Sequence, residues 1–92
     1  MKFISTHSLR PGCVETAAKR FLSGQAQPPE GIKLLGRWHK TDFSGGTSLF
    51  ECSDPAALYA FSATWADVLE MTTVPVVEDA EAGAALAARF GG

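Results

Sequence analysis

The order in which two hydrophobic periodicities alternate along the chain limits its fold more than any other feature. Four segments have the β-branched and aromatic composition of strands: 2–8, 32–41, 47–53 and 69–78. Three segments repeat apolar residues at the three- and four-residue spacing of amphipathic helices: 12–23, 53–69 and 79–90. Turn-forming residues separate them, including Gly24 and the "DFSGG" stretch at 42–46. Asp54, followed by Pro55, is expected to cap the second helix, and Asp79 is expected to cap the third. The sequence therefore predicts the order βαββαβ followed by a C-terminal helix.

That order is typical of the split-βαβ, ferredoxin-like fold, in which two helices cover one face of a four-stranded antiparallel sheet. The usual strand order, 4-1-3-2, puts the fourth strand at an edge. Pro75 in that strand supports the placement, because proline cannot donate a hydrogen bond to a neighbouring strand. The class is therefore α+β, and the 92 residues are expected to form one domain, residues 1–92.

Adjacent apolar residues within the strands predict a second apolar face on the sheet. The pairs are Phe3 with Ile4, Leu34 with Leu35, Leu49 with Phe50 and Val76 with Val77. Because neighbours on a strand point to opposite faces, apolar side chains lie on both faces, and the helices cover only one of them. We therefore expect a homodimer in which two identical sheets pack face to face.

Charge and composition exclude several classes of partner. The formal net charge of −2 lacks the basic excess of proteins that bind nucleic acids or anionic membranes. The N-terminal segment has no apolar run of the length found in signal peptides, so we expect a cytoplasmic protein with Cys13 and Cys52 as free thiols. The sequence contains neither a CxxC motif nor a Cys/His metal spacing, and we expect no metal and no cofactor.

The segment "GRWHK" at 36–40 contains the best candidate for chemistry. His39 can act as an acid or base near neutral pH, and Arg37 and Trp38 offer a cation and a stacking surface beside it. Strand alternation predicts that Trp38 and His39 face opposite ways, with Trp38 on the same side as Leu34. Glu51 is the second catalytic candidate, since a carboxylate in an apolar strand needs a partner, and Arg37 or His39 could supply one across the hairpin.

Three further residues are weaker candidates for ligand binding. His7 shares a strand face with Phe3 and is expected to be at least partly buried, where a structural role is favoured over ligand binding. Trp65 and Asp67 lie near the end of the second helix, where Trp65 is expected to pack on the sheet and Asp67 is either a ligand contact or a solvated carboxylate.

Several stretches together resemble the bacterial domain of unknown function 3303 family. They are "RPG" at 10–12, "PPEGIKLLGRWHK" at 28–40, "ECSDPAAL" at 51–58, and "WAD" at 65–67 with "VPVVED" at 74–79. The resemblance spans nearly the whole chain. It implies a dimeric α+β barrel of ferredoxin-like subunits, and it implies no established activity.

Two hypotheses of function follow. In the first, enzymatic or not, the protein binds a small organic molecule in a pocket between the sheet and the helices. In the second, it is a non-catalytic dimeric structural or protein-interaction module. Cavity volume distinguishes them, because ligand sites usually enclose about 300 Å³ or more.

Overall fold

The computed structural model describes residues 1–91. The elements are β1 (Lys2–Leu9), α1 (Val14–Leu22), β2 (Ile32–His39), β3 (Gly45–Cys52), α2 (Pro55–Ala63), β4 (Leu69–Val76) and α3 (Asp79–Phe90). All strand pairs are antiparallel, in the order β2-β3-β1-β4. This order confirms the ferredoxin-like fold, and it confirms that Pro75 lies on an edge strand.

The helix α2 begins at its predicted cap and ends earlier than predicted. The Asp54 side chain accepts a hydrogen bond from the Ala56 amide at 3.0 Å, and Pro55 occupies the first turn of α2. Beyond Ala63 the backbone bonds tighten to a three-residue spacing. Trp65 and Val68 therefore lie in the turns that lead to β4, so the prediction of a helix over 53–69 is wrong in its last two turns.

A β-bulge in β2 changes which of its side chains face the helices. Leu34 lies opposite Phe50, but the next pair is Gly36 with Leu49, so Leu35 has no partner on β3. An unpaired residue reverses the alternation of a strand. Residues 37 and 39, rather than 36 and 38, therefore share the side of residue 34.

This reversal decides the orientation of the "GRWHK" segment. Arg37 and His39 face α1 and α2, and Trp38 faces the other side, as expected for neighbours on a strand. The prediction that Trp38 shares a side with Leu34 is wrong, because the bulge lies between them. Trp38 is 62% exposed, and its ring lies over Gly36, where a Cβ would come within 2.6 Å of it.

The two glycines predicted as part of the turn at 42–46 belong instead to β3. Gly46 pairs with His7 on one side and His39 on the other. A Cβ at Gly46 would collide with the carbonyl oxygen of Trp38 and would press on the His7 ring at 3.0 Å. The three strands approach closely here because this position lacks a side chain.

Two hydrophobic clusters lie between the sheet and the helices. We call the first the filled end; its buried members are Phe3, Ile32, Phe50, Cys52 and Leu58. The second borders the cavity described below, and we call that region the open end. The buried members of the second cluster are Ala17, Ala26, Trp65 and Val68.

The other side of the sheet, which we call the outer face, and α3 remain largely open to solvent. The outer face carries Ile4, Leu49, Val74 and Trp38, of which the last two are exposed. The helix α3 begins with a capping box between Glu78 and Glu81, so its cap is Glu78 rather than the predicted Asp79. No residue of α3 is buried, and Phe90 is 73% exposed. No helix among residues 1–91 is long and apolar enough to cross a membrane.

Candidate functional site

A cavity of about 470 Å³ lies between the helix-facing side of the sheet and α1. Its floor is formed by all four strands, and its roof by α1, the end of α2 and the turns after α2. The roof residues are almost all apolar: Val14, Ala17, Ala18, Phe21, Leu22, Phe61 and Trp65. The two alanines reach only a short way from α1, which leaves the space beneath the helix open.

A polar row crosses all four strands, and its members on β1, β2 and β3 form part of the cavity floor. The strand register aligns Arg37, Ser48, Ser5 and Thr73. Nε of Arg37 donates to Oγ of Ser48 at 3.2 Å, and Oγ1 of Thr73 donates to Oγ of Ser5 at 2.9 Å. Both serines are buried, so these bonds satisfy oxygens that water does not reach.

Arg37 is the half-buried cation of that row. Its Nη2 donates to the carbonyl oxygen of Ala26 at 2.9 Å, which holds the segment after α1 against the sheet. Burial lowers the pKa of Arg37 from its ordinary value, because the charged form loses part of its hydration. The guanidinium stays charged all the same, since arginine titrates far above neutral pH.

A second row, one step towards the end of the strands, brings two histidines together. His39, Gly46, His7 and Met71 are aligned across the sheet. The pKa of His7 is lowered, first by burial and then by the positive charges of His39, Arg37 and Lys40. His39 is exposed, and its ring meets Phe21 edge-on with 5.2 Å between ring centres. His7 and His39 therefore flank the cavity on either side of Gly46.

Lys40 and Phe43 line the mouth of the cavity at the turn between β2 and β3. Phe43 has a backbone φ of 64° and is 75% exposed. A left-handed backbone is uncommon for a bulky residue, and the strain clusters at binding sites and turns. The turn is fixed beside it by Asp42, whose carboxylate accepts from the amide of Ser44 at 3.0 Å.

Trp65 and Asp67 have different surroundings, although they are close in sequence. Trp65 is buried and borders the cavity, as expected for a residue packed on the sheet. Asp67 lies outside the cavity and pairs with Arg20, whose guanidinium also lies 5.9 Å from the centre of the Trp65 ring. Hydrogen bonding to Arg20 lowers the pKa of Asp67. Asp67 is thus an ion-pair partner that holds α1 to the turns after α2.

Glu51 does not join the candidate site. The register places it on the outer face, between Lys2 on β1 and Lys33 on β2. Arg37 and His39 are on the opposite side of the sheet, so the predicted pairing of Glu51 with either of them is wrong. The bulge after Leu34 causes the separation, because it moves residues 37 and 39 to the helix-facing side.

The polar residues Ser5, Ser48 and Lys40 and the strained Phe43 line the cavity but were not among the predicted site residues. Ser5 could have been found, since alternation puts it on the face of His7. Ser48 could not, because its alignment with Arg37 depends on the bulge in β2. Phe43 gave no signal, because a phenylalanine in a glycine-rich turn does not predict a left-handed backbone.

The described residues offer no evident metal centre. Residues 1–91 contain no group of three or more His, Cys, Asp or Glu side chains that could hold a metal ion. Both cysteines are free, and Cys52 is buried in the filled end. Cys13 is at the cap position of α1 and packs against the cluster around Trp65.

Comparison with known proteins identifies a family. No match to a curated protein was found. One similar solved structure is Rv0793 from Mycobacterium tuberculosis, with 10% sequence identity and a TM-score of 0.49; the match covers 86% of this chain and 97% of that one. Another is a variant of MhuD with two manganese protoporphyrin IX molecules bound per active site, with 16% identity and a TM-score of 0.41; the match covers 85% of this chain and 95% of that one. The sequence itself matches a family described as "Domain of unknown function (DUF3303)" over residues 1–90. The resemblance inferred from the motifs is thereby confirmed, and the chain belongs to the DUF3303 family.

Proposed function

We propose that this protein binds a small, largely apolar organic molecule in the cavity at the open end, and that it does so as a homodimer. The observation that carries the proposal is the cavity itself. Its volume of about 470 Å³ exceeds the 300 Å³ or so at which ligand sites begin. A groove between α2 and β4 is as large, at about 480 Å³, but only the cavity at the open end has charged side chains in its lining. An apolar roof over a polar floor is the usual lining of such sites, since apolar walls supply affinity and a few polar groups fix orientation.

Small side chains of α1 and of the two central strands meet across the cavity. Ala17 and Ala18 of α1 face Ser5 and Ser48 of the sheet across the cavity. Empty volume in a protein interior costs stability, roughly in proportion to its size. A chain that keeps this space open gives up packing that larger side chains would provide. Ligand binding explains that loss, and a purely structural module does not.

Exposed apolar residues on the outer face and α3 support the homodimer. The outer face exposes Trp38 and Val74 beside the half-exposed Leu49, and α3 exposes Leu86 and Phe90. Large contiguous apolar patches on soluble proteins usually mark interaction surfaces. A second copy offers the same surface, so the two outer faces can cover each other in a symmetric dimer.

Leu49→Asp tests the dimer, because Leu49 lies on a central strand of the outer face. We expect sedimentation equilibrium at micromolar concentration to give twice the 9.7 kDa chain mass for the wild type. The variant should give the mass of a single chain, because a carboxylate buried in the interface lacks a partner. Thr16→Asp, on the exposed side of α1, is the matched control. A folded wild-type monomer would contradict the dimer.

Ala18→Phe tests the cavity. Ala18 lines the cavity yet is exposed, so a phenyl group there can fill the space without replacing a buried side chain. We expect a thermal-shift panel of neutral, anionic and cationic aromatic compounds to contain ligands that stabilise the wild type. Those ligands should leave Ala18→Phe unshifted, because binding stabilises only a protein that has the site. Ala60→Phe, on the exposed side of α2, is the control and should respond like the wild type.

A different result would support the structural alternative. If no compound in the panel shifts the wild type, or if Ala18→Phe responds like the wild type, the cavity is not a ligand site. The dimeric module without a ligand would then be the better account.

A further inference from the structure

The charges around the cavity are all of one sign. Four basic side chains line it: His7, Arg37, His39 and Lys40. The lining contains no Asp or Glu. The chain as a whole has more acidic than basic residues, with a formal net charge of −2, so this excess of cations is local. Walls of low polarity strengthen the field of such a cluster.

No carboxylate neutralises these cations within residues 1–91. The ion pairs there join Lys2 to Glu78, Lys19 to Glu15 and Arg20 to Asp67, and none of them involves a cavity residue. Asp42 is close enough to Lys40 for that cation to lower the pKa of its carboxyl group, but Asp42 forms no ion pair, does not line the cavity, and accepts its hydrogen bonds from Ser44.

The lack of a negative partner matters most for Arg37, because its charge is half-buried. Buried charges in proteins are normally paired, because desolvating an ion without a partner is unfavourable. Arg37 uses Nε and Nη2 to bond Ser48 and Ala26 and has no other acceptor among residues 1–91. Its other N–H groups are therefore available to a ligand, and a guanidinium matches the planar geometry of a carboxylate.

We propose that the ligand is an organic anion, an aromatic or alicyclic carboxylate, held by its acid group at Arg37 and by its apolar part beneath α1. This inference rests on the proposed function and specifies the class of molecule that the cavity takes. The polar row of Arg37, Ser48 and Ser5 lies on the floor, and the apolar roof of Phe21 and Trp65 lies opposite. A flat molecule with one acidic end satisfies both surfaces.

Binding of such an anion should also take up a proton. The groups that face His7 are His39, Arg37 and Lys40 from the β2 side, Gly46 on β3, Met71 on β4 and apolar residues of α1. None of them is acidic, so His7 is mainly neutral near pH 7 without a ligand. A bound carboxylate raises the pKa of His7, and affinity therefore increases as pH falls towards 6. The ligand stays ionised over that range, because carboxylic acids titrate near pH 4, roughly.

Isothermal titration calorimetry on the full chain with three matched probes tests the inference. The probes are 2-naphthoate, 2-naphthamide and 2-naphthylmethylammonium, which share one ring system and differ in charge. We expect the carboxylate to bind about tenfold more tightly than the amide, as befits a charge-assisted hydrogen bond, and the ammonium to bind least. Affinity for 2-naphthoate should be higher at pH 6 than at pH 8 in the wild type, and this difference should shrink in His7→Gln.

Single-residue variants test whether Arg37 is responsible for the preference for the carboxylate probe. Arg37→Gln should reduce the affinity for 2-naphthoate about tenfold and leave that for 2-naphthamide nearly unchanged, because only the charged probe loses its partner. Lys19→Gln makes the same change of charge on the exposed side of α1 and should alter neither. Circular dichroism checks that Arg37→Gln is folded; if it is not, the three probes on the wild type still decide the question.

Each contrary outcome has a distinct meaning. If the three probes bind the wild type equally, or if the ammonium binds best, the cavity is a ligand site but does not select anions, and the inference is overturned. If no probe binds while neutral members of the thermal-shift panel do, the inference is again overturned and the proposed function stands. If the panel also yields no ligand, both fall.

Discussion

The filled end and the open end lie between the same sheet and the same helices, yet they differ in what lines them. A groove of about 480 Å³ between α2 and β4 borders Phe3 and Leu58 of the filled end and has no charged side chain in its lining, whereas the cavity at the open end has a polar and basic floor. Phe3 and Ser5 show the difference most clearly, because they share a strand and a face and are equally exposed, at 6% each. Phe3 meets Phe50 and Leu58, whereas Ser5 forms part of the cavity floor. Burial alone therefore does not identify core. Side-chain size and polarity decide whether a buried position stabilises the fold or shapes a site.

Phe3→Ala and Ser5→Ala test that difference directly. We expect Phe3→Ala to lower the free energy of unfolding by about 3–5 kcal/mol, as large-to-small changes of buried aromatic residues do. Ser5→Ala should cost no more than about 1 kcal/mol, because it removes one hydrogen bond and Thr73 can bond water instead. Urea denaturation measures both. Equal losses would mean that the two ends are one continuous core.

Trp65→Ala addresses the boundary between the two ends. Trp65 is buried against Ala17, Ala26 and Val68, and it also borders the cavity. We expect a loss of about 3 kcal/mol, near the lower limit for aromatic truncation, because part of the ring faces open volume rather than packed atoms. A decrease in the free energy of unfolding below about 1 kcal/mol in the same denaturation assay would show that Trp65 does not contribute to core packing and belongs wholly to the ligand site.

The pH dependence of stability gives the smallest expected effect, and it is confined to the open end. The folded-state pKa of His7 lies below its unfolded value of about 6.5, so the unfolded chain binds more protons near that pH. Stability should therefore be greatest above pH 6.5, roughly, and should fall as pH drops through that value towards the folded-state pKa. His7→Gln should flatten this part of the curve. An unchanged slope would show that His7 is solvated like a surface residue.

The sequence predicted the arrangement of elements because that arrangement depends on local signals. Pro75 placed β4 at an edge, the Asp54 and Pro55 pair placed the start of α2, and adjacent apolar residues indicated two apolar faces. Each of these signals acts through the chemistry of one or two neighbouring residues, so tertiary context did not override it.

The site was less predictable because it depends on register. A single unpaired residue, Leu35, moves Arg37 and His39 to the helix-facing side and leaves Glu51 on the other. The one local signal is Gly36, because an isolated glycine in a strand often marks a bulge, but it does not show which neighbouring residue is left unpaired. Gly46, which lies between the two histidines, was likewise predicted to be part of a turn. Gly45 and Gly46 have no side chains, so they cannot show the two-residue period of a strand.

A crystal structure of the chain grown with 2-naphthoate would decide whether the open end binds an organic anion. We expect the naphthalene ring beneath α1, with the carboxylate within hydrogen-bonding distance, about 3 Å, of the Arg37 guanidinium. We also expect little change at the filled end, around Phe3 and Phe50. The proposal would be contradicted by a cavity closed by Phe21 and Phe43 with no bound molecule, or by 2-naphthoate on the outer face.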